Sequence, residues 1–139
     1  MARVEIPLPE RFGFKTTLDV YIGHINRGDH LGNESLLSLL NEARVRFMAE
    51  RQHAHPALAT LHWINADLAI IYKSEARHGE RLTIEIAATG FHRRGCDFIY
   101  RVSAADGRLV AIAKTAMLLF DYTEKQLTEA PAELPDWLR

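Results

Sequence analysis

The feature that most constrains this chain is one long amphipathic helix pattern set among segments that alternate like strands. Its apolar residues recur at steps of three and four, as on one face of a helix: Leu36, Leu37, Leu40, Ala43, Phe47 and Met48. Asn33 is a suitable N-cap, and the pattern continues to about Gln52 and ends before Pro56. A helix with one apolar stripe must pack that stripe against another element.

The other periodic segments have the two-residue alternation, or the continuous apolar run, of β-strands. They cover residues 14–26, 63–73, 81–88, 97–104 and 109–122. The order of one strand, one helix and four strands predicts an α+β domain. In that domain an antiparallel sheet of about five strands wraps one long helix, and residues 1–139 form a single unit.

Composition narrows the class of protein further. The chain has 17 basic and 18 acidic residues and a net charge of -1, which argues against a dedicated nucleic-acid binder. The single cysteine, Cys96, excludes an internal disulfide and a multi-cysteine zinc site. Neither a signal peptide nor an apolar run long enough to span a bilayer is evident. We therefore expect a cytoplasmic protein with no membrane partner.

Four segments, taken in order, resemble the motifs of one enzyme family. Residues 24–33 read His-Ile-Asn-Arg-Gly-Asp-His-Leu-Gly-Asn, and residues 42–44 in the helix read Glu-Ala-Arg. Residues 76–82 read Ala-Arg-His-Gly-Glu-Arg-Leu, and residues 106–111 read Asp-Gly-Arg-Leu-Val-Ala. Together they resemble the hot-dog fold thioesterases of the 4-hydroxybenzoyl-CoA type, over roughly residues 14–131. The resemblance implies an antiparallel sheet wrapped around a central helix.

The loop before the helix departs from this family where the family has its catalytic residues. The family's loop reads D-x-D-x-x-G-H-[VI]-N-N, and its catalytic aspartate falls on Asn26 here. Its earlier acidic residue falls on His24, and its glycine falls on Asp29. A second alignment matches Asp29 with the family's aspartate, but it makes the spacing from loop to helix about three residues short.

Thioester hydrolysis needs a group that activates water and donors that stabilise the oxyanion. The resemblance implies a carboxylate for the first role and backbone amides at the helix start for the second. We expect Asn26, His30 and Glu34 to be the catalytic residues, with Glu34 as the base because asparagine cannot accept the proton. The residues that we expect to bind substrate are Asp29, Gly32, Asn33, Arg93 and Arg94.

Each of these residues also has an ordinary structural interpretation. Glu34 suits a solvated acid in the first helical turn, and Asn33 suits a helix cap. Arg93 and Arg94, with Lys114 beyond them, could bind coenzyme A phosphates or form an ordinary basic hairpin. The sequence alone leaves both interpretations open.

The leading hypothesis is an acyl-CoA thioesterase that works without a metal or other cofactor, coenzyme A being part of the substrate. The cluster of His53, His55 and His62 has no carboxylate or cysteine at a metal-ligand spacing, which favours surface histidines. The alternatives are a non-hydrolytic acyl-thioester binder and an acyl-thioester dehydratase or hydratase. Because one sheet face lacks a cover, we expect a homodimer or homotetramer.

Overall fold

The computed structural model describes residues 3–139 as an antiparallel sheet packed against one long helix. The strands are β1 (Phe14–Asp19), β2 (Trp63–Tyr72), β3 (Arg81–His92), β4 (Gly95–Ala104), β5 (Leu109–Asp121) and β6 (Gln126–Leu127). The helices are α1 (Asn33–Ala54) and α2 (Leu134–Leu138). The order across the sheet is β1-β3-β4-β5-β2, and the short β6 pairs with the end of β5. The α+β prediction is confirmed.

Helix α1 buries one face against the sheet and spans its length. The buried side chains recur at helical spacing: Leu36, Leu39, Leu40, Ala43, Phe47 and Arg51. At one end of α1 the Tyr72 hydroxyl donates a hydrogen bond to the Asn33 carbonyl. At the other end the Arg51 guanidinium donates to the Gly13 carbonyl, next to the start of β1. The N-terminal end of α1 is therefore held at the β2 edge of the sheet and its C-terminal end at the β1 edge.

The first strand is shorter than the sequence predicts, ending at Asp19 rather than Asn26. Asp19 pairs with Arg81, the first residue of β3, so the chain beyond it has no strand to pair with. It turns instead through a 3₁₀ helix at Ile22–His24. The polar loop that follows is thereby placed at this end of the sheet.

The outer face of the sheet, away from α1, is partly covered by the chain's own N-terminal segment. The Phe12 ring lies 4.5 Å from the Arg101 guanidinium, which in turn pairs with Glu85. Farther along, residues 5–7 lie beside Lys114 at a shallow cavity. Some of the cover that the sequence assigns to a second subunit is thus supplied within the chain. Neither α1 nor α2 has both the length and the apolar character that a membrane span requires.

Candidate functional site

The loop between the 3₁₀ turn and α1 is held by its own backbone hydrogen bonds. The Asn26 N–H donates to the His30 carbonyl, and the Asn26 side-chain oxygen accepts from the Gly28 N–H, each at 2.9 Å. The Leu31 N–H donates to the Ala76 carbonyl at 2.8 Å, which ties the loop to the connection between β2 and β3. These bonds fix the position of His30 next to the start of α1.

Two loop residues have structural roles that the sequence did not specify. Asp29 is exposed and has a φ of 64°, a left-handed conformation that Asp tolerates better than most residues. Its carbonyl accepts a hydrogen bond from Arg77 at 3.2 Å. Gly28 lies under the His30 ring, since a Cβ there would be 3.0 Å from His30 Nε2. A side chain at Gly28 would therefore push against the imidazole.

Gly32, and not Asn33, occupies the capping position of α1, so the predicted Asn33 cap is wrong. Gly32 has φ -67° and ψ 150°, and its carbonyl accepts the Leu36 N–H. Because glycine has no side chain, no side-chain cap serves the first turn. The backbone N–H groups of Asn33 and Glu34 lie in that turn, where the helix itself supplies no acceptor. Together with the helix dipole they form a favourable place for an anion.

Glu34 and Tyr72 flank this helix start. A Cβ built on Gly32 would lie 2.9 Å from the Glu34 Oε1, so the carboxylate lies close over Gly32. The Tyr72 hydroxyl donates to the Asn33 carbonyl at 3.3 Å. Burial, and to a lesser degree the Glu34 charge, raise the pKa of Tyr72 above its usual value. Tyr72 therefore stays protonated at neutral pH and acts as a donor.

A cavity of about 250 Å³ opens beside the helix start. Its walls come from the loop, the first turns of α1 and the end of β2, and they include His30, Gly32, Asn33, Tyr72 and Glu75. The predicted residues His30, Gly32 and Asn33 are thus brought together at one place. Asn26 and Glu34 lie next to this group, through the loop and the helix turn respectively.

His30 and Glu75 form an imidazole–carboxylate pair at this cavity. The His30 Nδ1 lies 3.0 Å from the Leu31 carbonyl, which can only accept, so the proton is on Nδ1. The Nε2 then faces Glu75, with 3.7 Å between Nε2 and Oε1. The other Glu75 oxygen accepts a hydrogen bond from Arg77 at 3.2 Å. The 3.7 Å between Nε2 and Oε1 is too long for a hydrogen bond, so proton transfer between the imidazole and the carboxylate would pass through an intervening water.

Sequence reasoning missed Glu75 and Tyr72. Glu75 is 45 positions from His30, and it reaches the loop through the hydrogen bond between Leu31 and Ala76. The available signal was the position of Glu75, immediately before the family-like Ala-Arg-His-Gly segment. Tyr72 ends an apolar strand and carries no comparable signal.

Arg93 and Arg94 lie at the opposite end of the sheet within this chain. They form the turn between β3 and β4, and β3 has 12 residues starting at the end near the loop. That strand length separates the two places by roughly 36 Å. Arg94 donates to the Leu127 carbonyl at 3.2 Å. One chain alone does not bring these arginines to the cavity beside His30.

Lys114 is likewise committed elsewhere. Its ammonium lies 2.7 Å from an Asp67 carboxylate oxygen and 3.6 Å from one of Asp97, on the outer face of the sheet. The hydrogen bond to Asp67 is the main cause that raises the pKa of Lys114 and lowers that of Asp67. Because Lys114 is paired with these two carboxylates, it does not join the helix start or the Arg93–Arg94 turn in a phosphate-binding site.

Cys96 is not reactive, and the histidines form no metal-binding group among the described residues. Burial, followed by the nearby Asp97 charge, raises the pKa of Cys96 to about 12, so its thiol stays protonated at neutral pH. Among residues 3–139, no group of three or more His, Cys, Asp and Glu side chains is arranged to hold a metal ion. The His30–Glu75 cavity is therefore the candidate active site.

Comparisons with known proteins agree with the fold. The chain is 16% identical to the 1,4-dihydroxy-2-naphthoyl-CoA thioesterase Slr0204 from Synechocystis, with a TM-score of 0.77 over 90% of this chain and 94% of that one. It is 18% identical to a Thermus thermophilus thioesterase complexed with coenzyme A and zinc (TM-score 0.79, covering 93% and 99%). It is 12% identical to SAV2348 from Staphylococcus aureus in complex with CoA (TM-score 0.80, covering 96% and 85%).

These likenesses confirm the hot-dog fold that the sequence motifs predict. A search of the curated proteins finds no match to this chain. The model of the thioesterase-like superfamily, however, matches residues 20–138, which is most of the sequence. The chain therefore belongs to the thioesterase-like superfamily.

Proposed function

We propose that this protein hydrolyses acyl thioesters of coenzyme A to the free acid and coenzyme A. The cavity beside His30 is the main support, because it combines the first-turn amides of α1 with an imidazole–carboxylate pair. Membership of the superfamily supports the reaction type. The coenzyme A bound in two similar structures supports coenzyme A as the thiol. A cytoplasmic location remains a prediction.

In this proposal the substrate carbonyl oxygen faces the N–H groups of Asn33 and Glu34. Glu75 takes a proton from water as the water oxygen bonds to the carbonyl carbon, and negative charge develops on the carbonyl oxygen. The helix-start amides stabilise that charge. When the carbon–sulfur bond breaks, the sulfur takes the proton held by Glu75. The products are one carboxylic acid and one thiol, so the atoms and charges balance.

The residues predicted from sequence keep places around this reaction. His30 presents Nε2 to Glu75 and the cavity, and Asn26 positions His30 by holding the loop turn. Glu34 flanks the amides rather than facing His30, so we assign the base to Glu75 and not to Glu34. Gly32 lines the cavity, and its lack of a side chain leaves room for the Glu34 carboxylate beside the helix start.

A second candidate function is binding of an acyl thioester without hydrolysis. The observation that favours it is Asn26, which lies at the position of the family's catalytic aspartate. Asparagine cannot act as a base, and its side-chain oxygen accepts a hydrogen bond from the Gly28 N–H. A site without an effective base would hold the thioester and release it unchanged. The distinction rests on whether thiol is released.

The test is a thiol-release screen over short, long and aromatic acyl-CoAs. We expect release of coenzyme A from at least one class, measured with the thiol reagent DTNB. The buried Cys96, with its pKa of about 12, gives little background in the native protein. Calorimetric binding of an acyl-CoA with no thiol released from any class would contradict hydrolysis and establish the binder.

We further propose that the protein is a homodimer formed along β2, a tetramer being two such dimers. Of the strands that residues 3–139 form, none lies beside β2 on the side away from β5. Three large apolar side chains are exposed along this edge and the adjoining helix face: Val45 (62%), Leu68 (44%) and Tyr72 (47%). A long strand edge with exposed apolar residues is a template for pairing.

A two-fold axis through such an edge pairs β2 antiparallel with its copy. The Trp63 end of one β2 then lies beside the Tyr72 end of the other. Trp63 pairs with Leu119, whose N–H donates to the Arg94 carbonyl, so the Arg93–Arg94 turn lies near the Trp63 end of β2. In the dimer this turn of one protomer therefore lies near the Tyr72 end of its partner's β2, where the partner's cavity is. In this arrangement the arginines bind the phosphates of coenzyme A across the dimer.

The change Leu68→Asp is expected to convert the dimer to a monomer of 15.8 kDa. It places a carboxylate in the apolar contact between the two strands, where burial of an uncompensated charge is costly. Analytical ultracentrifugation measures the mass. The matched control is Val4→Asp, which introduces the same charge at an apolar residue 61% exposed in the N-terminal segment. A Leu68→Asp protein that remains dimeric would exclude this edge as the interface.

A further inference from the structure

A second cavity, of about 340 Å³, lies between the C-terminal half of α1 and β2. Its lining is mostly apolar, from Val45, Met48, Ala49, Trp63 and Met117. Three polar side chains join this lining: Arg44, Gln52 and Asn65. An apolar pocket with a few polar groups is typical of a small-molecule site. We refer to it as the α1–β2 groove.

Arg44 is the unusual member of the groove. Its side chain is partly buried, yet across residues 3–139 no carboxylate lies within ion-pair distance of it. The other partly buried arginines have partners: Arg101 pairs with Glu85, Arg108 pairs with Glu80, and Arg94 donates to a backbone carbonyl. A partly buried guanidinium that lines a groove and has no counter-charge is suited to pair with an anionic group that enters the groove.

The groups near Arg44 beneath the helix are neutral. The Tyr100 hydroxyl is fully buried and lies 2.9 Å from the Thr115 hydroxyl. Burial raises the pKa of Tyr100, and its hydrogen bond with Thr115 and the charge of Arg44 offset only part of that rise, so the phenol remains neutral at physiological pH. The neutral Tyr100 hydroxyl therefore leaves the charge of Arg44 uncompensated.

We infer that the α1–β2 groove binds the distal carboxylate of an acyl group, so that the preferred substrates are thioesters of dicarboxylic acids. The inference rests on the proposed thioesterase function and names its substrate class. A guanidinium binds a carboxylate through two parallel hydrogen bonds and full charge complementarity. The apolar lining suits the methylene chain that carries it.

The two cavities are placed for one acyl chain to reach both. Each has α1 and β2 as walls, with Leu36 and Tyr72 at the first and Arg44 and Asn65 at the second. Leu36 and Arg44 are eight residues apart on α1, which corresponds to about 12 Å along the helix axis. An acyl chain whose thioester is held at the helix start can therefore extend between α1 and β2 toward Arg44.

The test compares matched thioesters that differ in the terminal group. Adipoyl-, suberoyl- and sebacoyl-CoA are set against hexanoyl-, octanoyl- and decanoyl-CoA, and kcat/KM is measured for each by thiol release. We expect the dicarboxylic member to be preferred at one or more lengths. Arg44→Met should reduce that preference by about 10- to 100-fold, the usual effect of losing a charged hydrogen-bond partner. Arg44→Lys, which keeps the charge, should retain part of it.

The control is Arg46→Met, two residues along α1, where the guanidinium pairs with Glu42 and bonds to β1 away from the groove. It should leave the preference unchanged. Equal rates for both series at every length, or an Arg44→Met protein that keeps the preference, would overturn the inference while leaving the thioesterase function standing. Should Arg44→Met fail to fold, Arg44→Lys decides: a preference equal to that of the unmodified protein would overturn the two-bond contact between the guanidinium and the carboxylate.

If no thioester is hydrolysed, the proposed function fails, and calorimetric binding decides the groove separately. Sebacoyl-CoA should then bind more tightly than decanoyl-CoA to the unmodified protein, and Arg44→Met or Arg44→Lys should reduce the difference. Equal affinities would overturn the inference. A crystal structure with a partner subunit's carboxylate on Arg44 would overturn it as well, since the charge would already be compensated.

Discussion

Replacing Glu75 with glutamine is expected to lower kcat by about 100- to 10,000-fold, which is the usual contribution of a general base. The amide keeps the size and shape of the side chain but cannot accept a proton from water. The side chain of Glu75 is 57% exposed, so the loss of its contact with Arg77 should change stability little. Thiol-release kinetics measure kcat, and thermal unfolding checks that the fold is intact. KM should stay within a few-fold of its original value, because Glu75 acts on water.

Two matched variants make this result specific. Glu42→Gln removes a carboxylate that is exposed on α1 and pairs with Arg46 away from the cavity, so it should leave kcat unchanged. Glu34→Gln tests the carboxylate that lies over Gly32 at the helix start. A large loss in Glu34→Gln together with a small one in Glu75→Gln would return the role of base to Glu34. Equal activity in all three variants would exclude both Glu75 and Glu34 as the base.

The fold was predictable because its elements have clear periods. The apolar steps along α1 identify the helix, and the alternation in β3 and β4 identifies strands. The end of β1 was not predictable in the same way. The composition of residues 20–26 suits a strand, but the partner strand begins at Arg81 and offers nothing for those residues to pair with. Strand ends depend on the neighbour, which lies far away in sequence.

The candidate site was only partly predictable for a similar reason. The local motif identifies His30 and Gly32, because both lie in one short loop leading into α1. Glu75 joins them through a backbone hydrogen bond between distant segments, and no spacing in the sequence encodes that contact. Conversely, Arg93 and Arg94 have suitable chemistry for phosphates, but the length of β3 separates them from His30 within one chain. The sequence shows which residues have suitable chemistry, but which of them lie close together depends on how the strands pair in the sheet.

Truncating Phe47 to alanine is expected to lower the free energy of unfolding by about 3–5 kcal/mol, the range for a large aromatic residue in a packed core. Phe47 is fully buried in the C-terminal half of α1 and lies between Phe14 and Phe98, with ring centroids 5.4 and 5.3 Å away. The Arg51 guanidinium lies over the same ring, 4.9 Å from its centroid. The cavity left by alanine would remove contacts from β1, β4 and the end of α1 together, and the packed rings around it limit how far the site can collapse.

Urea unfolding measures this change, with the denaturant dependence expected to stay the same because the surface exposed on unfolding is nearly unchanged. The measurement is made at one fixed protein concentration, since unfolding of a dimer depends on concentration. Val4→Ala is the control, because Val4 is 61% exposed in the N-terminal segment and a surface substitution there should cost less than about 0.5 kcal/mol. Phe47→Leu, which fills much of the space, should fall between the two. A Phe47→Ala protein as stable as Val4→Ala would mean that α1 does not depend on this aromatic cluster to hold its position on the sheet. The alignment of the helix start with His30 and Glu75 would then have to come from the loop hydrogen bonds alone.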